Sequence, residues 1–74
     1  MNVCPIALQT ARNAIRNAVD RIRSASAAIE RETCFIEACS TNATLYTLGL
    51  IELDEFKANT DKLKRAYCAQ EVAA

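Results

Sequence analysis

From Leu8 the apolar positions run Leu8, Ala11, Ile15, Ala18, Ile22, Ala25, Ile29, Ile36 and Cys39. Large residues recur every seven positions and mostly small ones sit between them, the repeat of an α-helix that buries one stripe. Glu32 is the one break in the small series, and Ala7, Ala14, Val19, Ala28 and Phe35 widen the stripe. The opposite side holds Arg12, Asn13, Arg16, Asn17, Asp20, Arg23, Glu30 and Arg31. Pro5 suits a first helical position, where its missing N–H costs nothing, which makes Cys4 the expected N-cap. The pattern predicts one long helix from Pro5 to Cys39, with its weakest point at Ser24–Ser26 and a stop at Ser40-Thr41-Asn42.

Beyond Ser40, ATLYTLGL predicts a short helical turn ended by Gly49, which adopts positive φ without a steric cost. Asp54 is the expected N-cap of a last helix running to about Gln70. Its apolar face is thin, with Phe56, Leu63, Ala66 and Tyr67 interrupted by Asn59 and Thr60.

Length then enters the argument. A helix from Pro5 to Cys39 is about 52 Å long, while a compact chain of this size has a radius of gyration of about 11 Å. The last helix, about 25 Å long, covers half of the first. The uncovered stripe calls for a second chain. The expected fold is therefore all-α, one domain over residues 1–74: a long N-terminal helix, a short helical turn and a C-terminal helix in a helical hairpin, paired as an antiparallel homodimeric bundle. Leu8, Ala11, Ile15, Ala18, Ile22, Ala25 and Ile29 are the expected dimer interface. The alternative is a bend near Ser24–Ser26 that gives a monomeric three-helix bundle.

Charge supports the antiparallel choice. Residues 1–23 hold four arginines against one aspartate, a net of +3. Residues 24–56 have a net of −5 and residues 57–74 a net of +2, so the whole chain sums to zero. Antiparallel pairing sets each basic half beside a partner's acidic half, and parallel pairing stacks like charges.

Candidate chemistry is sparse. The chain has no histidine and one glycine, which argues against Ser-His and Cys-His catalysis and phosphate-binding loops. Four cysteines are spaced C-x29-C-x4-C-x28-C, without the tight knuckles of structural zinc sites. No cofactor is expected. Cys34, Cys39 and Cys68 are expected as small buried hydrophobes, and Cys4, at a helix start, as the one thiol of lowered pKa. The apolar runs are too short to span a bilayer, and no signal segment is visible, so the expected setting is cytoplasmic.

These observations point to a non-catalytic binding role. LYTLGLIELDEF crowds seven large apolar residues into twelve positions. Tyr46, Leu50 and Phe56, rimmed by Glu52, Asp54 and Glu55, are the expected contact surface for a larger protein target. The chain then reads as a small regulator or inhibitor, of the sort encoded by mobile elements such as phages. The alternative is a nucleic-acid face of Arg12, Asn13, Arg16 and Arg23, with the C-terminal lysines beside it. That architecture resembles the small antiparallel bundles of the Rop type, which bind paired RNA loops. A structural assembly subunit is a third reading.

Overall fold

The computed structural model describes residues 4–73, with side chains described through residue 69. Three helices occupy them: α1, Pro5–Ser24; α2, Ala28–Thr47; and α3, Leu53–Ala73. No strand occurs among the described residues. Each helix packs on both others. The Cα radius of gyration is 12.8 Å and the principal extents are 44 × 20 × 14 Å.

The expected single helix from Pro5 to Cys39 is corrected to two. The chain leaves α1 at Ala25 (φ −64°, ψ 128°) and enters α2 from Ala27 (φ −106°, ψ 139°). Ala25 is buried in the turn, where a larger side chain would hold the two helices apart. Folding back covers the stripe within one chain: Ile15, Ala18 and Ile22 of α1 join Cys34, Ala38 and Leu45 of α2 in one core cluster. A straight helix would leave those residues wet, and burying each isoleucine is worth about 1.5–3 kcal/mol. Leu8 and Ala11 are partly buried against the same core. Ile29 is not part of it and is 76% exposed.

The expected stop at Ser40–Asn42 is also corrected, because α2 runs through it to Thr47. Short polar residues weaken a helix when their side chains compete for its backbone. Here Thr41 Oγ1 donates to its own helix at Glu37 O (3.1 Å). Asn42 points into the bundle, 1% exposed. Its Nδ2 donates to Phe56 O (3.1 Å) and Thr60 Oγ1 (3.1 Å), and its Oδ1 accepts from Asn59 Nδ2 (3.0 Å). Asn59 and Thr60, apparent gaps in the apolar face of the last helix, are the partners of this buried amide. Among the described residues no buried side-chain nitrogen or oxygen lacks a partner. Such a satisfied group fixes one register between α2 and α3, since any slip strands it.

The α2–α3 turn forms as expected around Gly49, φ +74°. Leu50 N–H donates to Leu45 O (2.9 Å) and Gly49 N–H to Tyr46 O (2.9 Å). This bond pair is a Schellman motif, with Leu45 and Leu50 supplying its apolar contact. The last helix begins at Leu53, one residue before the expected cap, with Glu52 O accepting its first bond from Phe56 N–H (3.0 Å). Asp54 and Glu55 lie in the first turn, where carboxylates complement the helix dipole.

The contacts give the directions of the three helices. Only residues 25–27 join α1 to α2, and the two helices pack on each other, so they run antiparallel. Asn42 meeting Phe56 and Phe35 meeting Tyr67 make α2 and α3 antiparallel as well. Consequently α1 and α3 run parallel, with Arg12 beside Glu55.

Candidate interaction surfaces

The start of α1, the end of α2 and the start of α3 share one end of the bundle. The α2–α3 turn there exposes a run of large apolar side chains: Tyr46 41%, Leu48 48% and Leu53 43%. Tyr46 stacks on Phe56, ring centroids 4.8 Å apart and planes 25° from parallel. Phe56 is half-buried against the core and steadies the outer ring. Glu52 and Asp54 are exposed beside this patch. Ile6, 76% exposed, projects from the first turn of α1 at the same end.

Of the residues expected to form this surface, Tyr46, Glu52 and Asp54 are exposed and Phe56 is half-buried beneath Tyr46. Leu50, like Phe56, is half-buried against the core, following the Schellman turn. Glu55 is engaged within the chain. Its two carboxylate oxygens accept Nε and Nη2 of Arg12, both at 2.8 Å. Leu48 and Leu53 take the outward positions. The turn geometry separates these leucines from Leu50, and their spacing in the sequence does not.

The expected nucleic-acid face is partly engaged within the chain. Arg12 is held by Glu55 in a bidentate pair, which raises the guanidinium pKa. Asn13 accepts from Gln9 Nε2 (2.9 Å). Arg16 and Arg23 are exposed. Lys62 of α3 does come to this side of the bundle. With Arg12, Arg16, Asp20, Glu55 and Asn59 it lines an open groove of about 310 Å³ between α1 and α3. Asp20 and Glu55 offset much of its positive charge. Arg65 pairs with Asp61 in its own helix (3.1 Å).

All four cysteines are free thiols. Cys34 is buried and Cys39 half-buried, where burial raises the Cys39 pKa against the opposing pull of Lys64. Cys68, expected inside, is exposed, because the inward-facing α3 residues Leu63, Ala66 and Tyr67 lie about 100° or more around the helix from it. Cys4 is the exposed N-cap of α1. The backbone N–H groups of Ala7 and Ile6 at the helix start lower its pKa, as a helix start does for a thiol. Among the described residues, no group of three or more His, Cys, Asp or Glu is placed to hold a metal ion. No helix among them is long and apolar enough to cross a membrane.

Comparison with protein-family models, with curated proteins and with solved structures finds no match for this chain.

Proposed function

We propose that this chain is a non-catalytic protein-binding regulator or inhibitor that docks on a larger protein in the cytoplasm. The docking surface is the bundle end at the α2–α3 turn. The observation that carries the reading is the exposure of Tyr46, Leu48 and Leu53 within eight positions, 41%, 48% and 43%. Isolated exposed leucines are ordinary, whereas an aromatic and aliphatic cluster rimmed by polar groups marks a contact site. Tyr46 is held ready by its stack on Phe56, so little side-chain freedom is lost when a partner covers it. The acids Glu52 and Asp54 favour a target with a basic rim. In this reading the regulator acts as a homodimer, which carries two such ends. Protein capture is favoured over nucleic-acid binding because Arg12 is already paired with Glu55.

The double variant Leu48→Asp, Leu53→Asp tests the proposal. Both side chains are exposed, so the bundle is expected to fold with an unchanged circular dichroism spectrum. Bait of each kind is incubated with a cognate lysate, with and without nuclease. A protein that the wild type retains through nuclease, and that the double variant loses, supports the reading. Loss of every partner on nuclease treatment, or on Arg16→Glu alone, replaces it with the nucleic-acid reading.

A further inference from the structure

The groove between α1 and α3 is built from two facing ridges. Arg12, Arg16 and Asp20 stand on the α1 side, and Glu55, Asn59 and Lys62 on the α3 side. Each set recurs at steps of three or four residues, so each lies along one side of its helix. Because the helices run parallel, the ridges meet in order. The first rung is closed by the bidentate Arg12–Glu55 pair, both bonds 2.8 Å. One turn further on come Arg16 and Asn59, and a turn beyond them Asp20 and Lys62.

Those later rungs stay open. Asn59 commits its Nδ2 to Asn42 Oδ1 (3.0 Å) inside the bundle rather than reaching across the groove. Among the described residues no ion pair joins Arg16 or Lys62 to an acid. The floor between the ridges is apolar: Ile15 is buried, and Val19 is half-buried against the core. The space of about 310 Å³ is at the small end of ligand sites, and it runs about 12 Å along α1 from Arg12 to Asp20. Three cations, Arg12, Arg16 and Lys62, face two acids, Asp20 and Glu55, a net of +1.

These features select a ligand chemistry. A bare anion leaves the apolar floor wet, and a dianionic phosphate overshoots a net of one positive charge beside Asp20 and Glu55. A cation meets Arg16 and Lys62 from both walls. We propose that the α1–α3 groove binds a small linear carboxylate, its head between Arg16 and Lys62 and its chain along Ile15 and Val19. The planar fork of Arg16 matches a carboxylate, and Lys62 adds a second charge from the opposite wall. The Arg12–Glu55 pair holds the walls at a fixed spacing, so the groove is formed before the ligand arrives. The site is separate from the α2–α3 turn and does not depend on target binding there.

Octanoate is titrated into the full chain at neutral pH, followed by amide chemical shifts and by calorimetry. Saturable binding in the millimolar range or tighter is expected, with shifts centred on residues 12–20 and 55–62. Acetate carries the same charge without the chain, and is expected to bind at least ~10-fold more weakly. Arg16 and Lys62 are both exposed, so the double variant Arg16→Gln, Lys62→Gln keeps its circular dichroism spectrum. Its affinity for octanoate is expected to fall at least ~10-fold. Arg21→Gln, exposed and outside this groove, is expected to bind as the wild type does. Octanoate should also raise the melting temperature of the wild type, because only the folded chain has the groove. No saturation in the millimolar range overturns the proposal. Acetate binding as tightly as octanoate removes the role of the floor and overturns it, as does undiminished binding by the double variant. Shifts confined to Tyr46, Leu48 and Leu53 place octanoate on the bundle end, which overturns the groove and leaves the docking surface standing.

Discussion

At the α2–α3 turn the chain is stopped by Gly49 at φ +74°, two Schellman bonds take up the last carbonyls, and Leu50 folds back on Leu45. At the α1–α2 turn the same reversal is made by Ala25-Ser26-Ala27, with no side-chain hydrogen bond at the start of α2. The first turn is written in local chemistry and would tend to form in a short peptide. The second holds because α1 has somewhere apolar to go. A turn of the first kind is stable without its surroundings, and one of the second kind is only as stable as the burial it permits.

The largest expected effect comes from removing that burial. Ile22 is fully buried, so Ile22→Ala is expected to cost about 2–5 kcal/mol by denaturant unfolding. Amide exchange should quicken in α1 more than in the α2–α3 pair; equal quickening would mean both turns depend on the core alike. Asn42→Ala comes next, because it takes the partner from Nδ2 of half-buried Asn59 and empties a packed position. A loss of about 1–3 kcal/mol is expected, read as a lower denaturant midpoint and faster exchange between α2 and α3. Gly49→Ala breaks the locally written turn. No atom lies within 4 Å of the added methyl, so its whole cost is conformational, about 1–2 kcal/mol for a left-handed residue. No loss of stability would show that the turn had relaxed to another form. The smallest effect has the opposite sign: Ala27→Ser completes the pattern S-x-x-E with Glu30. A gain of about 1 kcal/mol is expected, and a gain near zero would indicate that α2 does not start at Ala28 in solution.

Much of the local structure was legible in the sequence. Cys4-Pro5 starts a helix, Gly49 ends one, and Asp54 and Glu55 sit in a first turn, each by rules that operate over a few residues. The stripe Ile15, Ala18, Ile22 was legible as buried, but not what buries it. Ser24–Ser26 stood out as weak without showing that the chain reverses there, since Ala and Ser accept either conformation. Ser40-Thr41-Asn42 suggested a stop because polar side chains usually turn to their own backbone or to water. Asn42 instead meets α3, a partner 14 to 18 residues away that no local window contains. At the α2–α3 end of the bundle, the exposure of Tyr46, Glu52 and Asp54 was legible from composition. The outward turn of Leu48 and Leu53, the inward turn of Leu50, and the Arg12–Glu55 pair across 43 positions were not.

By itself, then, the sequence determined that the chain is helical, where two of its helix ends lie, and which residues share a stripe, because periodicity and capping are short-range properties. Tertiary structure alone decided which parts of that stripe face inward. The stripe runs from Leu8 to Cys39, but burial depends on where the chain turns back. A turn without glycine or proline is set by the apolar area that α1 and α2 hide together, not by its own residues.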